Sequence, residues 1–337
     1  MMAGIAVVTG GSAGIGLATA ERFAKGGYDV AIIARDEDRL EEARALLAAH
    51  GGRVLAISAD VADAAAIDDA ADQVERELGP IDAWVNNAMS TVVAPADRIS
   101  ADEYARVTAT TYLSQVHGTL AALRHMKPRG RGAIVQVSSG LGIRAVPLQA
   151  AYCAAKFAVS GFTDSLRAEL IADDVPVTLT VVYLPAVNTP QPGWARNHTG
   201  HAQVLPDPLF DPRLCAQAIV SAVEKPTREI WVGRSTFQMA IAQALAPGLA
   251  DRQASSFRES QLGDPIGDKP GNLDEPVSGP ARIDGDGIDR AISNRHEFFT
   301  SRERDLLKLG IGSGIVGIGA LAGFGLSRLL SRRADAD

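Results

Sequence analysis

The sequence predicts an α/β fold, a doubly wound parallel sheet of about seven strands with helices on both faces. Three observations predict it. Over residues 1–235, short β-branched runs alternate with stretches rich in Ala, Leu and Glu. The runs are apolar throughout instead of alternating with polar residues, so each strand is expected to be buried on both faces, as in sheets whose crossovers are helices. A glycine-rich turn, TGGSAGIG at 9–16, then joins the first run to the first helical stretch.

Taken in order, IAVVTG (5–10) is the first strand and Ile15 to Lys25 the first helix. DVAIIAR (29–35) is the second strand, and DRLEEARALLAAH (38–50), made of strong helix formers, the second helix. RVLAISAD (53–60) and residues 64–78 repeat the unit. IDAWVNNA (81–88), GAIVQVSS (132–139), VPVTLTVVYL (175–184) and EIWVG (229–233) complete the seven strands. Helices are expected near 102–125, 152–171 and 212–224. Ligands of such sheets sit beyond the carboxyl ends of the strands.

The glycine turn stands at that end. Gly10 permits the tight turn, Gly14 lets backbone approach a pyrophosphate, and Gly16 lets the helix pack closely on the sheet. The helix start supplies unpaired N–H groups for the anion. With a strand before it and a helix after it, the turn predicts a dinucleotide site in a Rossmann-like fold. The second strand ends at Ala34-Arg35. A carboxylate there would accept hydrogen bonds from the adenosine ribose and repel a 2′-phosphate. Arg35 offers that phosphate a planar cation, which predicts NADP(H), with NAD(H) as the alternative.

Tyr152 and Lys156 share a helix face at i, i+4. A free phenol titrates near pH 10 and is a poor base at neutral pH; a neighbouring ammonium stabilises the phenolate and moves its pKa toward working pH. Ser139 ends the preceding strand and is placed to hold a substrate oxygen for that proton exchange. Alone, the pair also describes a half-buried aromatic beside a surface charge. Joined to Ser139 and the glycine turn, it reads as an acid/base site.

Composition narrows the alternatives. A net charge of -7 argues against nucleic acid, whose binders need a basic face. Cys153 and Cys215 are too few for a disulfide framework, and six histidines without ligand spacing predict no metal site. The start, MMAGIAVVTGG, lacks the basic region and long apolar core of a signal peptide, so the catalytic part is expected in the cytoplasm.

These motifs together resemble the short-chain dehydrogenase/reductase family over about residues 3 to 235: TGGSAGIG its cofactor turn, DV at 60–61 its adenine-side acid, NNA at 86–88 its fourth-strand motif, YCAAK its Tyr-x-x-x-Lys. The resemblance implies hydride transfer between nicotinamide and a carbonyl or alcohol carbon. It makes Tyr152 the acid/base, has Lys156 bind the nicotinamide ribose and tune the phenol, and has Ser139 orient the substrate. Thr9, Gly10, Ser12, Gly14, Ile15 and Gly16 would line the cofactor turn; Asp60 and Val61 would hold the adenine; Asn87 and Ala88 would lie beside the cofactor. It also implies a homo-oligomer through the helices near 102–125 and 152–171.

Three positions depart from the family pattern. Thr111 stands where the family usually has an Asn that helps hold a water in the proton relay. Met89 follows NNA where glycine is common. LPAVNTP (184–190) lacks the glycine of the family's Pro-Gly segment and is one residue short, although Thr189 is still expected to meet the nicotinamide carboxamide. Thr111 leaves open a second reading, a cofactor-binding regulator or scaffold with weakened chemistry.

The long connection 190–212 is expected over the substrate, with Trp194 and Phe210 either lining an apolar pocket or anchoring the loop. After the catalytic domain (1–250), prolines interleaved with Gly and Asp predict a linker or loosely docked irregular extension over 251–300. The last part, 301–337, contains 19 consecutive uncharged residues, 309–327, seven of them glycine. As a helix they reach about 28 Å, close to the roughly 30 Å of a hydrocarbon core. The expectation is a hydrophobic Gly-rich transmembrane helix, against a flexible tail or a helix packed on a partner subunit. A lipophilic substrate would suit such an anchor.

Overall fold

A computed structural model describes residues 4–287, 291–293 and 297–301. The sheet strands are β1 (Ile5–Thr9), β2 (Asp29–Ala34), β3 (Val54–Ser58), β4 (Ala83–Asn86), β5 (Ala133–Ser139), β6 (Thr178–Leu184), β7 (Glu229–Val232) and β8 (Phe298–Thr300), in the order β8-β7-β6-β5-β4-β1-β2-β3. From β3 to β7 every neighbouring pair is parallel. The strand order reverses between β1 and β4, which opens a crevice at their carboxyl ends. Eight strands are present where about seven were expected, because three residues remote from the other strands carry no strand period of their own.

Helices α1 (Gly14–Lys25), α2 (Glu37–Ala48) and α7 (Pro212–Glu224) cover one face, where Phe23, Leu40, Leu214 and Ile219 pack on Val8, Ile32 and Val135. Helices α3 (Ala64–Glu77), α5 (Ser114–Arg129) and α6 (Ala150–Ala172) cover the other, where Ile67, Val74, Met126 and Leu166 pack against Val7, Ile33, Trp84 and Ile134. Successive strand residues point to opposite faces, which is why Val7 and Val8 belong to different cores. Helix α4 (Ala101–Thr108) leads through a π-turn, Ala109–Leu113, into α5. After β7 come α8 (Arg234–Leu245) and α9 (Pro247–Ser255).

Helix starts divide in a way that matters for the site. Asp36 caps α2, Asp63 caps α3, and Ser100 with Glu103 forms a capping box on α4. Helix α1 begins at Ala13 with no side-chain cap and no acid in its first turn.

The chain divides into two compact units, 1–298 and 299–337. The extension after 250 therefore lies, up to residue 298, in the same unit as the sheet. It is threaded into the body: Leu262–Pro265 pairs antiparallel with His201–Gln203, Asn197 and Lys269 exchange backbone hydrogen bonds of 2.9 and 3.0 Å, and Leu273 is fully buried beside Val92, Ala94, Ile99, Val107 and Ala151. Proline and glycine remove helical and strand period without preventing burial of single apolar residues, and one such residue pins this segment. Leu273→Ala is expected to cost about 2–5 kcal/mol of stability, read as a lower urea midpoint. An unchanged midpoint would return the segment to a loose tether.

The expected membrane-spanning stretch, 309–327, lies outside the described residues. Among the described residues, no helix is long and apolar enough to cross a membrane.

Candidate active site

A single cavity of about 790 Å³ runs along the carboxyl ends of the strands. It begins at the glycine turn. Gly10 holds φ +65°, and a Cβ there would approach both the Ala88 Cα and the Asn87 Nδ2 to 3.0 Å; a Cβ on Gly16 would stand 2.0 Å from the Gly10 carbonyl oxygen. The β4 motif ties this turn down. Asn87 donates from Nδ2 to the Thr9 carbonyl (3.0 Å), and the Thr9 hydroxyl accepts the amides of Asn87 (2.9 Å) and Ala88 (3.1 Å). Thr9 thus lies behind the turn as a brace, whereas Gly10, Ser12, Gly14, Ile15, Gly16, Asn87, Ala88 and Thr189 line the cavity. Asn86, the other half of the motif, is buried in a network with Trp84, Thr119 and Gln136.

Beyond the turn, at the ends of β2 and β3, the cavity meets Arg35, Asp60 and Val61. Burial alone would push the Asp60 carboxyl up, but the Ala62 amide (2.9 Å) and the Arg106 guanidinium (2.5 Å) together hold it below the usual carboxylate range. Arg35, half-buried, is already met by main-chain carbonyls. Its Nη2 donates to the Asn272 carbonyl (2.5 Å), and its Nη1 to the carbonyls of Asp274 and Leu273, the latter at 3.4 Å. Arg39, one turn further along α2, donates to the carbonyls of Val277 and Gly279 and lies 4.6 Å over the Trp194 ring. Even the Gly14 amide is met by the extension, donating to the Arg282 carbonyl at 2.9 Å.

In the other direction the cavity holds Ser139, Tyr152 and Lys156. Ser139 ends β5, and its Oγ caps the following 3-10 turn by accepting the Leu141 amide at 3.1 Å. Its hydroxyl is near enough to the Tyr152 phenol to draw that group's pKa down. Lys156 is 1% exposed; its Nζ donates to the Val137 carbonyl (2.7 Å) and lies 5.6 Å from the Tyr152 ring centroid. The electrostatics differ from the sequence expectation. Burial pushes the phenol above its ordinary range, and the nearby Ser139 hydroxyl only partly offsets it. Burial likewise pulls Lys156 down to about 7. A half-neutral ammonium gives little help to a phenolate, so the tyrosine is held as a neutral phenol, the form that donates a proton.

Thr111 sits in the π-turn, where its hydroxyl donates to the Ser90 carbonyl (2.7 Å) and accepts the Ser90 amide (3.1 Å). The hydroxyl is committed to bracing the loop after β4.

The far wall is mostly apolar, with Leu184, Met239, Ala242, Ala250, Ala254 and Phe257, and Gln238 and Gln253 are set among them. Arg144 enters it between Gln243 (2.7 Å) and Asp251 (2.5 Å). Trp194 lines the end of the cavity near Arg35 and Arg39, and Phe210 packs into the core, so it anchors its loop. Sequence reasoning missed Arg39, Arg106, the 272–277 segment and the α8–α9 wall. Arg39 was findable as a second cation one turn from Arg35; the extension's position had no local signal.

The short-chain dehydrogenase family model matches residues 4–197. The chain belongs to that family. It is 33% identical over 255 residues, 74% of this chain and 70% of the other, to the Bacillus subtilis protein described as "uncharacterized oxidoreductase YxnA". It is 30% identical over 252 residues, 73% of this chain and 81% of the other, to a fatty acyl-CoA reductase of Acinetobacter baylyi. An alcohol dehydrogenase from the archaeon Thermococcus sibiricus, solved with 5-hydroxy-NADP, superposes with a TM-score of 0.58 at 25% identity, over 68% of this chain and 95% of that one. This short-chain dehydrogenase is thus an oxidoreductase that takes a nicotinamide cofactor. Its own residues fit one: the turn admits no Cβ at Gly10 or Gly16, α1 starts without a side-chain cap, and the cavity reaches from Arg35 to Tyr152.

Proposed function

We propose that the protein is an NADP(H)-preferring oxidoreductase acting between the carbonyl and alcohol forms of a lipophilic substrate. One observation carries the reading: the Ser139–Tyr152–Lys156 group and the dinucleotide turn open into one cavity whose far wall is mostly apolar. Bound nicotinamide supplies or accepts the hydride. Ser139 Oγ holds the substrate oxygen, and Tyr152 Oη, neutral in this site, delivers a proton to that oxygen during reduction and recovers it in the reverse direction. Lys156, anchored on the Val137 carbonyl beside the phenol, binds the nicotinamide ribose in this reading. Thr189, beside Gly14, meets the carboxamide in this reading. The apolar wall and the fatty acyl-CoA reductase relative favour a long acyl or otherwise lipophilic substrate. Exposed Leu113, Leu120, Phe157 and Ile171 on α5, α6 and the π-turn favour a homo-oligomer through that face.

NADPH oxidation, followed by nicotinamide absorbance, is expected with long-chain aldehydes or ketones and to fall off with short ones. Intact NADPH binding without turnover across a panel from small ketones to steroid-sized carbonyls would leave only a cofactor-binding protein. For coenzyme choice, Arg35→Ala is expected to weaken NADPH binding about tenfold or more, the scale of lost charge-assisted hydrogen bonds, and NADH binding two- to threefold at most. Equal losses for both would remove the NADP(H) preference.

A further inference from the structure

We propose that residues 271–279 form a coenzyme-discriminating strap, whose main-chain carbonyls compete with a 2′-phosphate for the arginines at the adenosine end of the cavity. The proposal rests on the cofactor reading given above. Three guanidinium groups converge there, and the strap engages all of them. Arg35 is bonded to the carbonyls of Asn272, Leu273 and Asp274, Arg39 to those of Val277 and Gly279, and Arg106 donates from Nε to the Leu273 carbonyl at 3.1 Å. Asp36 and Asp60 take further donors of Arg39 (3.2 Å) and Arg106 (2.5 Å). A phosphate monoester held bidentately needs these same terminal nitrogens.

The strap is fastened from outside the cavity. The Asn272 amide donates to the Trp194 carbonyl (2.7 Å), Arg196 donates from Nε to the Pro270 carbonyl (2.8 Å), and Arg196 pairs with Asp274 at 2.5 Å. Gly271 makes the fit possible: at φ +60°, its missing Cβ would lie 2.3 Å from the Arg196 amide nitrogen and 2.5 Å from the Trp194 carbonyl oxygen. Leu273 plugs the middle into the core. Asn272, Pro276 and Val277 face the cavity, so the strap roofs the space where an adenosine would lie.

The two coenzymes meet this roof differently. A 2′-hydroxyl is neutral and leaves the carbonyl–guanidinium bonds in place. A 2′-phosphate is the stronger acceptor and takes the arginines, but it must first release the strap carbonyls, and part of its binding free energy is consumed in doing so. The strap therefore narrows the NADP(H)-over-NAD(H) preference that the arginines alone would set, and it lifts when NADP(H) binds.

Gly271→Val and Arg196→Ala loosen the strap from its outer side without touching Arg35, Arg39 or Arg106. Titration of each full-length variant with NADPH and NADH, read by binding fluorescence, is expected to show NADPH affinity rising about tenfold with NADH affinity changed less than twofold. In wild-type protein, limited proteolysis within 271–279 is expected to quicken on saturation with NADPH and to stay unchanged with NADH, a readout that needs no variant. Equal changes for both coenzymes in the variants, or equal protection of the strap by both in the wild type, would overturn the strap while leaving the cofactor site standing. Wild-type protein that binds neither dinucleotide would overturn the cofactor reading itself, and the strap with it.

Discussion

Tyr152→Phe is expected to lower kcat by about a hundred- to ten-thousandfold, the range over which a positioned proton donor contributes, while leaving the Kd for NADPH within a few-fold. The substitution removes one oxygen from a ring that is otherwise packed inside the cavity, so the fold and the dinucleotide turn are preserved. The Ser139 hydroxyl retains its bond from the Leu141 amide and still holds the substrate oxygen, but no proton arrives there as hydride is added. Stopped-flow comparison of hydride transfer and cofactor binding separates the two effects. A variant that keeps most of its rate would place the acid elsewhere, and a variant that loses cofactor affinity in proportion would make Tyr152 a binding group.

Lys156→Met is expected to abolish most turnover and to stabilise the protein. The folded chain holds Lys156 buried with a pKa of about 7, whereas the unfolded chain protonates it up to about pH 10.5. Between those values the unfolded state binds more protons, so stability rises with pH across that window, and below pH 7 the full penalty of charging a buried amine is present. Methionine removes that penalty at the loss of one bond to Val137. The net gain is on the order of 3 kcal/mol near pH 6, a rise in Tm of about 4 °C, shrinking as pH climbs from 7 toward 10. Thermal melts of both proteins across that pH range measure it. A variant less stable than wild type at pH 6 would mean that Lys156 is charged and well solvated in the folded protein.

The opposite signs expected for activity and stability express one physical fact. A cation buried beside a phenol with one carbonyl and no anion to meet it is unfavourable for folding, and the proposed reaction is what gives it a use.

Much of this site was legible before any coordinates. The turn at 9–16 could be read because glycine is required wherever backbone must pass within van der Waals range of backbone, as Gly16 does at the Gly10 carbonyl. Tyr152 and Lys156 could be paired because helical spacing places i and i+4 on one face. Strands β1 to β7 were each visible as apolar runs, since burial on both faces leaves no room for alternation. The direction of the Tyr152 shift was not legible: it depends on how completely the ring is buried, which the four-residue spacing does not express. Thr111 could be flagged as a departure, yet only the π-turn shows its hydroxyl committed to Ser90.

The amino-acid sequence by itself determined the fold class and singled out the glycine turn and the Ser139, Tyr152 and Lys156 group, because each follows from local periodicity or from a steric demand met within a few residues. Tertiary structure alone decided what lies against Arg35 and how the 251–287 segment is used. Those contacts join residues about 240 positions apart through main-chain carbonyls, and every residue type carries a carbonyl, so no pattern of side chains could announce them.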